Sequence, residues 1–118
     1  MVERQNIKAR QFAQAAAKLA DGRHCTDIAV LDLQGTSPAT DYFVIATGTS
    51  GRQMRTVADE ISEVGRESGF QRFGRAGYDQ GRWILLDFVD VVVHLFDGEY
   101  REYYDLELLW GDAKRIDY

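Results

Sequence analysis

Residues 42–47 read Tyr-Phe-Val-Ile-Ala-Thr, a run without a charge and with β-branched residues at Val44, Ile45 and Thr47. A strand with one wet face alternates apolar and polar residues. This one does not, so it calls for a sheet with something packed on each side. The 118 residues suffice for one such layered domain with its own core and are too few for two.

The flanking segments supply the layers. IKARQFAQAAAKLA, residues 7–20, is built of strong helix formers and sets Ala9, Phe12, Ala16, Leu19 and Ala20 on one stripe before Asp21-Gly22 ends it. TDIAVLDL, residues 26–33, reads as a first strand, and Gln34 to Pro38 as a turn holding the only proline. A second helix is expected over about 51–68. Met54, Val57, Ala58, Ile61 and Val64 line one side of it, Arg52, Arg55, Asp59, Glu63 and Arg66 the other, and Gly69 stops it. FQRFGR, residues 70–75, suits a short edge strand. Trp83–Asp87 and Val91–Phe96 lie so close together that they should pair as an antiparallel hairpin, and Tyr100–Trp110 predicts a C-terminal helix. The order α-β-β-α-β-β-β-α predicts a single α/β domain over 1–118. It has a five-stranded mixed sheet with flanking helices, a core at 7–113 and a polar tail at 114–118.

No stretch reaches the roughly 18 uninterrupted apolar residues that a membrane span requires. The N-terminal MVERQNIKARQF lacks the apolar run of a secretory signal, and the single Cys25 has no partner for an internal disulfide. A reducing cytoplasm is therefore the expected location. Charge is unevenly spread: residues 1–26 are net +3, residues 27–86 net −2, and residues 87–118 net −6, with three basic against nine acidic side chains. An acidic C-terminal third repels nucleic-acid backbones and attracts a basic protein surface, although surface acids also serve plain solubility.

Gly48-Thr49-Ser50-Gly51 joins the second strand to the second helix, the place where α/β proteins often cradle phosphate. Neither G-x-x-x-x-G-K-[ST] nor G-x-G-x-x-G is present. A capping box fits better, with Ser50 accepting from the Gln53 N–H and Gln53 reaching back to the Ser50 N–H. Arg52 and Arg55 keep an anion site as the alternative. A nucleotidyltransferase would follow its Gly-Ser turn closely with paired carboxylates for two metal ions. Here Asp87 and Asp90 come much later and flank a turn, so no metal and no cofactor is expected. His24, Cys25 and His94 form neither C-x-x-C nor H-x-x-x-H, and Cys25 reads as a space-filler at the entry to the first strand.

The hairpin carries the candidates for partner binding. Alternation sets Ile84, Leu86 and Phe88 on a wholly apolar core face, and Trp83, Leu85 and Asp87 on the other. A tryptophan beside a carboxylate on an open sheet face is the make-up of a binding anchor. A helix laid over the same face would instead make Trp83 core. His94 shares its face with Val92 and Phe96 and reads as a half-covered structural histidine or a partner contact. The aromatic stretch EYREYYDLELLW docks on the sheet as a helix, and part of it, Tyr104 included, is open to an interface.

DIAVLDLQGTSPATDYFVIATGTSGRQMRTVADEI, GRWILLDFVDVVVHLF and REYYDLELLWGDA, in that order over roughly residues 7–113, resemble the ribosomal silencing factor family, also called iojap-like. The resemblance implies a nucleotidyltransferase-like α/β fold without catalytic carboxylates, and no enzymatic reaction. It implies binding to the large ribosomal subunit through its fourteenth protein, on the face that meets the small subunit, so that subunit joining is blocked and translation falls. Partner contacts are then expected at Trp83, Asp87, Asp90, His94 and Tyr104. Exposed aromatic surface also admits a homodimer, and a nucleotide-binding or nucleotidyltransferase-like role is the alternative. One position departs from the family: where members carry glycine in the hairpin turn, D-[YF]-G-D, this chain has Val89. A β-branched residue disfavours positive φ, so either the turn takes another geometry or Val89 is strained.

Overall fold

The computed structural model describes residues 2–103, 111 and 113–118, with side chains from Lys8 onward. Its elements run α1 (Val2–Gly22), β1 (Thr26–Asp32), β2 (Tyr42–Thr47), α2 (Gly51–Glu67), β3 (Gly74–Ala76), β4 (Trp83–Asp87), β5 (Val91–Phe96), α3 (Gly98–Tyr103) and β6 (Lys114–Ile116). The strands form one mixed sheet in the order β3-β4-β5-β2-β1-β6. All neighbours are antiparallel except β2 and β5, which run parallel at the centre.

Both long helices lie on the same face. α1 buries Phe12 together with Ala9, Ala13, Ala16, Ala17 and Ala20, and the alanines are small enough to bring its backbone close to the sheet. α2 buries Met54, Val57, Ala58, Ile61 and Gly65. Opposite them stand Val30, Val44, Ala46, Ile84, Leu86, Val91, Val93 and Leu95, and together these make the main core. Gly65 is needed where α2 meets the hairpin: a Cβ there would lie 2.8 Å from the Phe70 carbonyl oxygen and 2.9 Å from the Phe88 ring. The Phe12 ring stacks on Phe70 at 5.1 Å and meets Phe88 edge-on at 4.8 Å, which closes the core at that end. The other sheet face carries a smaller cluster of Ala29, Leu31, Leu33, Ile45 and Phe96, with Phe43, Trp83, Tyr100 and Ala113 packed at its margin.

Three boundaries differ from the sequence reading. Among the described residues the sheet has six strands, not five, because residues assigned to a polar tail pair with β1, Val30 opposite Ile116 and Asp32 opposite Lys114. Ile116 is the reason: it is 6% exposed and enters the main core, so one apolar residue in a charged stretch decides the pairing. α1 begins well before residue 7, and β3 lies at 74–76 rather than 70–75. The expected helix over 100–110 is observed to Tyr103; its remainder, Tyr104 included, lies outside the described residues.

Ile116→Ala should destabilise the chain by about 2 kcal/mol or more in a urea titration, as for a buried strand residue; a true tail would show a change within about 0.5 kcal/mol.

Candidate functional site

The register of the three central strands lays out the second sheet face as a grid. Asp87, Val92 and Phe43 form one row; Leu85, His94 and Ile45 the next; Trp83, Phe96 and Thr47 the third. Ile45, His94 and Phe96 are buried, whereas Trp83, Leu85, Asp87, Val92 and Phe43 are partly exposed. Phe43, Leu85 and Val92 were not singled out from the sequence. Alternation and the β4–β5 hairpin place Leu85 and Val92 on this face, and the parallel register of β2 on β5 adds Phe43.

Trp83 belongs to neither extreme of its two sequence readings. It is partly buried and stacks on Phe96 with ring centroids 4.9 Å apart. Its indole N–H donates to His94 Nδ1 at 3.1 Å. His94 is 5% exposed rather than half-covered, and Phe43 packs edge-on against it at 4.7 Å, so it presents almost no surface of its own and meets the margin of the cluster through Trp83. With Nδ1 accepting, the neutral ring carries its proton on Nε2, and that buried group has no hydrogen-bond partner among the described residues. Burying such a donor costs about 1–3 kcal/mol; the bond to Trp83 is the polar contact set against it.

Burial also lowers the His94 pKa from 6.5 to about 4. Between those values the unfolded chain binds more protons than the folded one. Stability is therefore full above about pH 6.5 and falls as pH drops toward 4.

Asp87 has a local task. Its carboxylate accepts from the Val89 N–H at 2.8 Å and its carbonyl from the Phe73 N–H at 2.7 Å. Val89 sits at φ +72°, and the Asp90 N–H donates to the Phe88 carbonyl across it at 2.9 Å. This is the rarer, strained form of γ-turn, so of the two outcomes expected for a valine here, strain is the one observed. The Asp90 carbonyl accepts from the Asp41 and Tyr42 N–H groups, tying the turn to the start of β2.

The Gly48–Gly51 turn is spent on capping. Ser50 Oγ accepts from the Gln53 N–H at 3.1 Å. Gln53 Oε1 takes the Thr49 N–H at 2.7 Å rather than that of Ser50, and its amide donates to the Arg23 carbonyl at 2.8 Å. A Cβ on Gly48 would meet Met54 Cγ at 2.2 Å, so this glycine serves packing. Cys25 is buried, as expected of a space-filler, and burial raises its thiol pKa against a weaker opposing contact from Gln53. Among the described residues no three His, Cys, Asp or Glu side chains gather as a metal site would require, and no helix is long and apolar enough to cross a membrane. A polar cleft of about 630 Å³ lies between the β1–β2 end of the sheet and α3, lined by Asp27, Thr47, Arg101 and Arg115 among others. Arg101 already donates there to the Asp27 carbonyl and to Thr47 Oγ1.

Fold and geometry thus define a small α/β domain with one sheet face sealed by two helices and an aromatic cluster at the margin of the other. A sequence model described as "Ribosomal silencing factor during starvation" matches residues 6–118. The "Ribosomal silencing factor RsfS" of Bacillus subtilis is 42% identical over 108 residues, covering 92% of each chain. A crystal structure of a Chromobacterium violaceum protein superposes with a TM-score of 0.82 at 32% identity, over 86% of this chain and 85% of that one. One from Bacillus halodurans gives 0.78 at 34% identity, over 92% and 99%. The chain belongs to the ribosomal silencing factor family.

Lowering the pH from 6.5 to 4 should remove about 3 kcal/mol of stability through His94. His94→Asn offers its amide oxygen near the Nδ1 position without titrating. Acid denaturation curves for this variant should lack that part of the decline, while the downfield Trp83 indole proton persists in NMR spectra.

Proposed function

We propose that this protein represses translation in the cytoplasm by binding the large ribosomal subunit through its fourteenth protein and standing where the small subunit must dock. What carries the reading is the partly exposed group of Trp83, Leu85, Asp87, Val92 and Phe43 on one sheet face, in a chain of the silencing family. Trp83 supplies an amphipathic anchor: one side stacks on Phe96, and the indole N–H is already satisfied by His94, so burial against a partner leaves no polar group orphaned. The net charge of −6 over residues 87–118 favours a basic partner and steers the encounter.

The mechanism needs no chemistry. A standard interface takes roughly 800 Å² from each partner. A body of 39 × 31 × 23 Å held on a joining surface excludes a second large particle by volume. Asp87, engaged by the Val89 N–H, acts in this reading by shaping the hairpin end and by its charge, while Tyr104 remains a proposed contact from the sequence alone.

Sedimentation of the pure chain with isolated large subunits, small subunits, and both mixed tests the proposal. The chain should travel with large subunits only and deplete the joined particle. Trp83→Ala should weaken binding by about 2 kcal/mol, near thirtyfold. Co-sedimentation with small subunits instead, or wild-type binding by Trp83→Ala, would contradict it.

A further inference from the structure

We propose that the tip of the β4–β5 hairpin is a second docking point, formed by Val89 and Phe73, for a positively charged protein surface. The proposal rests on the reading that the chain engages a basic partner, and extends the contact to the end of β4 opposite Trp83.

Val89 is a β-branched residue at φ +72° and is 52% exposed. Glycine takes this conformation without the steric cost, and asparagine or aspartate with less of it. Nothing in either core cluster includes Val89, so burial within the chain does not offset the strain. Strained backbone of this kind persists where its surroundings fix it and is concentrated at functional sites. Phe73, 79% exposed, is tied to the same end of β4 and likewise has no place in either cluster. Asp87 fixes both: its carboxylate holds the Val89 N–H and its carbonyl the Phe73 N–H. Two apolar side chains are thereby displayed on a rigid tip, which loses little conformational freedom on binding.

Charge selects the partner. Asp90 follows Val89 directly, and its carbonyl brings Asp41 alongside. Burial raises the Asp41 pKa, and the nearby Asp90 and Asp32 add to the rise. Lys8 lines a cleft with Asp90, and Lys114 lies across from Asp32 in the sheet. Arg72 and Arg75 turn toward α2, to Ser62 and Asp59 respectively. The turn itself, residues 87–90, carries Asp87 and Asp90 and no basic side chain, so this apolar tip repels anionic lipid and nucleic acid and fits a basic protein surface with an apolar recess.

The test is binding of the full chain to isolated large ribosomal subunits at moderate salt, with Val89→Gly and Phe73→Ser beside Trp83→Ala and thermal midpoints measured in parallel. Val89→Gly should raise the midpoint by roughly 4 °C, since glycine accepts the positive φ, yet weaken binding roughly tenfold. Phe73→Ser should weaken binding similarly without moving the midpoint, and it decides alone if Val89→Gly proves less stable. A purely structural tip would not couple higher stability to lower affinity. Wild-type binding by both tip variants overturns the proposal while a loss in Trp83→Ala leaves the sheet-face reading standing. Failure of the wild-type chain to bind overturns both. Loss of self-association in light scattering, with subunit binding unchanged, would assign the tip to a second copy and also overturn it.

Discussion

The parallel pairing of β2 with β5 is the constraint from which the rest of the molecule follows. It joins the hairpin half of the sheet to the half formed by β1 and β2, and it sets Ile45 against His94 and Phe43 against Val92. Both strands are almost wholly apolar, so both faces must be covered, and the two faces are covered differently. α1 and α2 share one. The second holds a smaller cluster with Trp83, Phe43, Tyr100 and Ala113 at its edge. A sheet covered this unevenly has a natural side on which to meet another molecule.

On that side the Trp83–His94 bond converts packing into presentation. A tryptophan lying free on a strand would sample several rotamers and lose them on binding. Stacked on Phe96 and hydrogen-bonded to a buried imidazole, it is held in advance. The arrangement has its own cost in the Nε2–H, which has no partner among the described residues, a cost that a leucine at position 94 would avoid. Buried polar groups that weaken a core are commonly found where they position something else.

Much of this was legible in the sequence. Met54, Val57, Ala58 and Ile61 repeat at helical spacing and are buried as that spacing requires. Ile84, Leu86 and Phe88 alternate and are buried on one face. Ser50 caps α2 because the turn chemistry is local. What escaped was long-range. Ile116 is a lone apolar residue among charges, and nothing near it in the chain announces that β1 has an open edge for it. The burial of His94 depends on Phe43, distant in sequence and aligned only by a parallel register that alternation does not specify. The hydrogen bond from the Phe73 N–H to the Asp87 carbonyl likewise appears only once β3 lies beside β4.

The account stands on the second sheet face being the one that is covered when the chain binds. Hydroxyl-radical footprinting of the chain, alone and on isolated large ribosomal subunits, reads this side chain by side chain. Oxidation of Trp83, Leu85 and Phe43 should fall on binding, while partly exposed Leu19 and Val64 on the helical side keep their reactivity. Protection of Leu19 and Val64 with Trp83 unchanged would place the contact on the helices and contradict it.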